Sequence, residues 1–218
     1  MKNQILLFCG LLFIAACTPS TADNTPTNVE NTNTPITINE NYMTEREKEM
    51  VAEINLVRSN PNAYTKIIEQ YIYELKTDRY SDASRLDEEI RTAKELIKEL
   101  TVTKPLSILQ PHEGLYKTAK KHGEEGKQKG ELDHQGSDGL WPWDRAEKYA
   151  SDVKGSTENL VGGPENVRRS VIILLVDTGI KSRGHRKALL NPDWRYVTCY
   201  EVGQVGDMPN YWVQMFGK

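Results

Sequence analysis

Apolar residues recur at helical spacing through the first half of the region that follows residue 41. This spacing gathers apolar side chains on one side of a helix, so it predicts three amphipathic helices. Ser59, Asn60 and Pro61 separate the first helix from the second, and Pro105 follows the third. The apolar faces consist of Met50, Val51, Ile54 and Val57; Tyr64, Ile67, Ile68, Tyr71, Ile72 and Leu75; and Leu86, Ile90, Ala93, Ile97 and Leu100.

The residues after 105 predict one more long helix, two further helices and three strands. Pro164 suits the first turn of a helix that is apolar around most of its circumference and is therefore expected to be buried. Helices early and strands late indicate an α+β fold with a single core. The predicted elements are helices at 112–129, 143–149 and 164–177 and strands at 157–161, 196–205 and 211–216.

The first 41 residues predict export and anchoring. Lys2 precedes an apolar stretch at 5–16 that is too short to span a bilayer, which indicates a signal peptide at 1–16. Ile-Ala-Ala-Cys at 14–17 resembles a bacterial lipobox, so Cys17 is expected to carry lipid (palmitate) and to hold the protein at a membrane. The alternative is an ordinary signal peptide in which Cys17 has no role.

Residues 17–41 are rich in Thr, Asn and Pro and predict a disordered linker, which leaves 42–218 as the folded domain. If Cys9 is removed with the signal peptide and Cys17 is lipidated, Cys199 has no partner for a disulfide. Cys199 lies in a segment rich in β-forming residues and is expected to be a buried apolar residue rather than a nucleophile.

Composition narrows the function classes. The 218 residues include 28 Lys and Arg against 31 Asp and Glu, which gives a net charge of −3 and a pI near 5.9. A nucleic-acid-binding protein needs a basic surface, so no nucleic-acid partner is expected.

Two histidines are candidates for chemistry. His134 and His185 occupy segments rich in glycine that resemble loops, where binding groups are often placed. Gly184 would let the backbone adopt a conformation that aims His185 into a cleft. With nearby acids the pair can form either a divalent-metal site or an acid/base pair. His122 falls on an apolar helix face and is expected to be a packed core residue.

Four motifs in order resemble the family of cysteine-rich secretory proteins, antigen 5 and pathogenesis-related-1 proteins, known as the CAP or SCP domain, in its bacterial extracellular form. The resemblance spans about residues 45–218 and includes the helix that ends at Ser-Asn-Pro (59–61) and the closing strand. The motifs are His-Gln-Gly-Ser-Asp-Gly at 134–139, Asp-Arg-Ala at 144–146, Glu-Asn-Leu at 158–160 and Ser-Arg-Gly-His-Arg at 182–186.

The resemblance implies an α-β-α sandwich with a central antiparallel sheet and a cleft lined by two histidines and two acids. Carried over by motif, these are His134, His185 and Glu158, with Asp177 as the second acid at a position where many members have Glu. The family pattern implies possible Zn²⁺ or another divalent cation on the histidines, with the acids flanking them. Glu158 has an alternative role as a buried partner of Arg145 or Arg186, and Asp177 an alternative role at a helix end.

Three functions remain open at this point. The first is an envelope-anchored binding protein whose cleft holds a divalent metal, a small ligand or a partner protein. The second is a metal-assisted, peptidase-like hydrolase that uses His134, Glu158 and His185 as catalytic residues. The third is lipid or sterol binding. Whether the protein is an enzyme is left undecided. The lipobox predicts a bacterial cell envelope, and Thr18 after the lipidated cysteine favours the outer membrane or the cell surface.

Overall fold

A computed structural model describes residues 37–77 and 83–218. The predicted signal peptide at 1–16, the predicted lipidation site Cys17 and most of the predicted linker lie outside the described residues. Within the described ranges, none of the helices combines the length and the apolar character needed to cross a membrane.

Seven helices and three strands form the described part of the chain. The helices are α1 Glu45–Ser59, α2 Pro61–Thr77, α3 Ala83–Val102, α4 Glu113–Lys129, α5 Pro142–Tyr149, α6 Val167–Val176 and α7 Gly184–Leu190. The strands are β1 Ser156–Val161, β2 Tyr196–Val205 and β3 Met208–Gly217. Each helix and strand predicted from the sequence has a counterpart in the structure, and α7 is a further helix that was not predicted.

Side-chain caps set several helix ends. Thr44 Oγ1 accepts a hydrogen bond from the Glu47 backbone N–H (3.3 Å), and Glu47 Oε2 accepts one from the Thr44 N–H (2.7 Å), which is a capping box. The prediction that α6 begins at Pro164 is wrong. Asn166 caps this helix through its Oδ1, which accepts the Arg169 N–H (3.0 Å), because an Asn side chain satisfies an otherwise unpaired first-turn donor.

The sheet is antiparallel and has the order β1-β3-β2, so β3 pairs with both neighbours and β1 forms one edge. Glu158 lies opposite Met215 and Asn159 lies opposite Gln214. Successive side chains of a strand point to opposite faces, so Glu158 and Asn159 face different layers.

Helices cover both faces of this sheet. Val213 and Met215 of β3 pack with Leu115 of α4 and Ala146 of α5. The alternate residues of β3, including Trp212, pack with apolar side chains of α1, α2, α3, α6 and α7 in the larger cluster. The result is an α+β fold with a helix layer, a sheet and a second helix layer. This is the α-β-α sandwich that the resemblance implies.

The packed region extends slightly beyond the predicted domain boundary. Ile38 and Tyr42 are partly buried against the larger core cluster. Residue 38 lies within the segment predicted as linker, so the described end of that segment contacts the domain.

Asn55 fastens the connection between α3 and α4 to α1. Its Nδ2 donates to the Leu109 carbonyl oxygen (2.8 Å) and its Oδ1 accepts the Leu109 N–H (2.7 Å), all in the interior. The next residue, Gln110, bridges to the start of β2. One buried amide therefore supplies both hydrogen bonds of a backbone unit that secondary structure does not pair.

Replacing this amide tests the anchor. Asn55→Leu leaves the Leu109 N–H and carbonyl unpaired in the core, so the free energy of unfolding in urea is expected to fall by roughly 2–4 kcal/mol. Asn62→Ala is the control because the Asn62 amide bonds the Thr101 carbonyl at the surface (3.2 Å). Its expected loss is below about 0.5 kcal/mol. Equal losses in the two variants would contradict the assignment.

Candidate functional site

His134 is oriented by a buried carboxylate. It lies in the segment between α4 and α5, and its Nδ1 is 3.0 Å from Glu158 Oε1 on β1. The Glu158 side chain is fully buried, whereas that of His134 is 39% exposed. A carboxylate accepts from an Nδ1–H, so this bond leaves the Nε2 of His134 directed away from Glu158.

Arg145 neutralises Glu158 and shapes the loop around His134. Its Nη2 donates to Glu158 Oε2 (2.8 Å), and its Nη1 donates to the carbonyl oxygens of His134 (2.9 Å) and Leu140 (2.8 Å). The guanidinium is almost fully buried. The structure therefore identifies Arg145, and not Arg186, as the arginine paired with Glu158, and the same carboxylate also binds His134.

The pKa values of two histidines near Glu158 shift in opposite directions. The hydrogen bond that His134 donates to Glu158 raises the pKa of His134, and partial burial opposes this effect. Burial lowers the pKa of His122, whose Nε2–H donates to the Asp133 carbonyl oxygen (2.7 Å). His122 is 2% exposed, as expected of a core histidine, and its Nε2 lies 3.9 Å from Glu158 Oε1.

His185 is held by Asp177 in a similar way. Its Nδ1–H donates to Asp177 Oδ1 (2.7 Å), and its backbone N–H donates to Asp177 Oδ2 (3.0 Å). The Arg186 N–H also approaches Oδ2 (3.4 Å). Asp177 caps the C-terminus of α6 with φ 57°, so it does not lie within the helix. This left-handed conformation aims the carboxylate at the first turn of α7.

Two expectations about the segment around His185 are wrong. His185 is the second residue of α7 rather than part of a loop. Gly184 does not adopt a positive φ, and a Cβ there would meet only Ser182 Oγ at an ordinary 3.6 Å. Arg183 instead has the left-handed conformation (φ 52°). Its Nη1 donates to the carbonyl oxygens of Asp177 (3.0 Å) and Ile180 (2.8 Å), which stabilises the turn.

Arginines fasten this turn to α3. Arg183 Nη2 pairs with Glu95 Oε2 (3.0 Å), and Arg186 Nη1 pairs with Glu95 Oε1 (2.8 Å) and with Glu99 Oε2 (2.9 Å). The hydrogen bonds from Arg183 lower the pKa of Glu95 to about 2, and Arg186 adds to the shift. Arg186 thus holds α7, the helix that carries His185, against α3, and it does not contact Glu158.

Both histidine–acid pairs adjoin β1. Glu158 faces α4 and α5, whereas Asn159 faces the other layer, where its Nδ2 donates to the His185 carbonyl oxygen (3.3 Å). Within residues 37–77 and 83–218, no hydrogen bond joins the two pairs. The same residues contain no group of three or more His, Cys, Asp or Glu side chains placed to hold a metal ion.

A cleft of about 550 Å³ opens beside His185 and Asp177. The apolar side chains of Leu160, Val161 and Ile173 line it together with acids from α3. His134 and Glu158 are not among its lining residues. The structure thus brings the four sequence-predicted residues together as two pairs beside the edge strand, with a cleft at one of them.

Sequence patterns did not indicate every residue that supports the site. Arg183 adopts a left-handed backbone conformation, although its residue type gives no indication of it as a glycine would. The bond from Asn159 to α7 depends on strand register. Neither feature can be predicted from a short motif or an apolar pattern, because both depend on how distant elements are placed relative to each other. The Asn after Glu158 in the Glu-Asn-Leu motif was the available hint.

Comparisons with known proteins add three findings. The uncharacterized protein YkwD of Bacillus subtilis is 32% identical over 114 residues, which are 51% of this chain and 40% of that protein. An outer surface protein of Borrelia burgdorferi superposes with TM-score 0.44 at 23% identity over 64% of this chain and 97% of its own. An extracellular protein containing an SCP domain from Bacillus anthracis superposes with TM-score 0.42 at 17% identity over 58% of this chain and 38% of its own.

No family model matches the chain. The chain spans less than half the length of YkwD and of the B. anthracis protein. Each of these proteins is one to which this chain is similar.

The raised pKa of His134 predicts a pH-dependent stability. A raised native pKa stabilises the fold fully below the unfolded pKa of about 6.5, and this contribution is lost as pH rises through the native pKa. The difference in unfolding free energy between the wild type and His134→Asn is therefore expected to be larger at pH 5.5 than at pH 8.5. Urea denaturation at both pH values measures it, and subtraction removes titrations common to both chains, including that of His122. A difference that grows with pH would contradict the Glu158 contact.

Proposed function

We propose that this chain is a cell-surface binding protein in which His134 and His185 bind a divalent cation such as Zn²⁺. One observation carries the proposal: each imidazole has its Nδ1 bonded to a carboxylate, at 3.0 Å for Glu158 and 2.7 Å for Asp177. Metal-binding histidines are oriented in this way, because the carboxylate fixes the tautomer and makes the other nitrogen a better ligand.

The donor set fits a borderline cation. Neutral imidazole nitrogens suit Zn²⁺, and neither Nε2 atom has a hydrogen bond within the described part of the chain. Since the described residues supply no third ligand beside the two histidines, the remaining coordination positions are left for water, a small ligand or a group from a partner. A bound cation would supply Lewis acidity and an exchangeable coordination position there.

The surrounding residues favour binding over hydrolysis. Glu158 is already shared between Arg145 and His134, and both Asp177 oxygens accept hydrogen bonds from α7. Neither acid is therefore a free general base. Cys199 is fully buried and burial raises its pKa, which makes it a poor nucleophile.

Anchoring at the bacterial envelope completes the proposal. The apolar stretch at 5–16 and the small residues before Cys17 support lipidation, and the Thr, Asn and Pro-rich segment supports a tether that holds the domain away from the bilayer. The membrane is then a partner through the lipid, and the cation site faces the exterior.

Zn²⁺ titration of the purified protein tests the cation site. Calorimetry is expected to show binding, and the midpoint of thermal unfolding is expected to rise because Zn²⁺ binds the native state. His134→Asn and His185→Asn should each weaken binding by at least about tenfold. His112→Asn is the matched control, since His112 caps α4 through Nδ1 and its Nε2 contacts Asp152 (3.0 Å).

Three results would overturn the cation proposal. These are the absence of both heat and thermal shift at millimolar Zn²⁺, unchanged affinity in the two site variants, and equal weakening in the His112 control. If only one of the two site variants loses affinity, the shared site is wrong and the cation belongs to one histidine–acid pair.

Cys17→Ser tests the anchor. The serine hydroxyl is not a substrate for thioether lipidation, so the variant expressed in a bacterium is expected to leave the membrane fraction and to appear in the soluble fraction. Immunoblotting of fractionated cells measures this, and Cys9→Ser is the control because Cys9 lies within the predicted signal peptide. Retention of Cys17→Ser in membranes would contradict lipid anchoring at this residue.

A further inference from the structure

Two tryptophans lie exposed at the start of α5. The Trp141 and Trp143 residues are 41% and 54% exposed, and their rings stack with centroids 5.5 Å apart and planes inclined by only 6°. Neither belongs to a core cluster, whereas Trp194 and Trp212 are buried. Indoles are the largest apolar side chains, so a solvated pair has no role in packing the core and marks an interaction surface.

Hydrogen bonds fix the backbone that carries the pair. The Trp141 backbone N–H donates to Asp144 Oδ2 (2.9 Å), and the Trp141 carbonyl accepts the Arg145 backbone N–H (3.0 Å). Pro142, the residue between the two tryptophans in the sequence, is buried. The preceding carbonyl, of Leu140, is bound by Arg145, whose guanidinium also holds Glu158. A backbone fixed before binding reduces the conformational entropy lost on association.

Acids outnumber bases in the segment that carries the indoles. Residues 131–149 contain five Asp and Glu against Arg145 and Lys148. Arg145 is buried and paired with Glu158, and the Lys148 ammonium lies over the Tyr149 ring. Asp138 Oδ1 accepts the Leu140 N–H (3.1 Å), so both Asp138 and Asp144 adjoin the Trp-Pro-Trp backbone. Each uses one oxygen for this purpose, which leaves the second oxygen for a partner.

Ring geometry and charge together select a planar cation. The face of an indole attracts cations, and nearby carboxylates add to this attraction. A quaternary ammonium is best held where several rings enclose it, but parallel stacked rings present only flat faces. A guanidinium is flat, stacks on such faces and offers N–H groups at its rim to a carboxylate. The excess of acids in this segment disfavours the binding of anionic lipid headgroups.

The molecule contains an internal example of the same chemistry. The guanidinium of Arg169 lies 4.0 Å over the centre of the Tyr71 ring, and its Nη1 is 3.4 Å from Glu74 Oε2. An aromatic face beside a carboxylate thus holds arginine between α2 and α6. Among the described residues, no Lys or Arg lies over either Trp141 or Trp143.

We propose that the Trp141–Trp143 pair, with Asp138 and Asp144 beside it, binds an arginine side chain of a protein partner. The occupant is an exposed, arginine-bearing segment of another protein. None of these four residues is a proposed cation ligand, so the test of this surface requires no bound cation.

Fluorescence anisotropy with dye-labelled peptides tests this site on the purified protein. An acetylated, amidated hexapeptide of alternating arginine and glycine is expected to bind saturably, and its lysine counterpart should bind at least about threefold more weakly. Trp141→Ala and Trp143→Ala should each weaken arginine-peptide binding about two- to fivefold, and the double variant more. Asp144→Asn, which can still accept the Trp141 N–H, should weaken binding and reduce its sensitivity to salt.

Matched controls separate this site from general attraction to an acidic protein. Tyr73→Ala removes another exposed aromatic ring, 40% exposed on α2, and should leave the affinity unchanged. Circular dichroism should show that both tryptophan variants remain folded. The proposal is overturned if the double variant binds the arginine peptide as tightly as the wild type, or if the lysine peptide binds equally well. Tryptophan-dependent binding of cellohexaose or of phosphatidylcholine vesicles, without arginine-peptide binding, would also overturn it.

Discussion

The buried pair of Arg145 and Glu158 organises one whole side of this molecule. A single guanidinium binds the carboxylate on the edge strand and two carbonyl oxygens of the segment before α5. Removing either charge would leave the other uncompensated in the interior, which is among the more destabilising changes that a fold can suffer. The position of His134, the entry into α5 and the exposed tryptophans all follow from this one contact.

Asp177 has the corresponding role for His185. A carboxylate at the C-terminus of α6 accepts both the backbone N–H and the ring N–H of His185, so one residue starts α7 and orients the imidazole. The two histidine–acid pairs nevertheless differ in which groups stabilise the negative charge of the acid. Glu158 has a direct arginine partner, whereas Asp177 is surrounded by backbone donors, and the nearby arginines turn toward α3.

Periodicity predicted the fold well because most helices bury one apolar face, and the strands β2 and β3 are separated by a clear turn. The Ile54 face, for example, is fully buried as its spacing indicated, and the Tyr64 face is buried except for the partly exposed Ile67. The local chemistry of the site was less predictable. Gly184 was assigned a conformational role that Arg183 has, and α6 begins at Asn166 rather than Pro164 because the capping bond decides the start. Such details depend on contacts between segments that are distant in sequence.

The order of the sheet has a consequence for how the chain can fold. The central strand, β3, comes after every other described element, and β1 and β2 pair only with it. Until β3 has been synthesised, the two outer strands have no partner in the sheet. Long-range pairing of this kind is slow to form because the entropy of loop closure opposes it. The core on both faces of the sheet is therefore completed only when its last strand is in place.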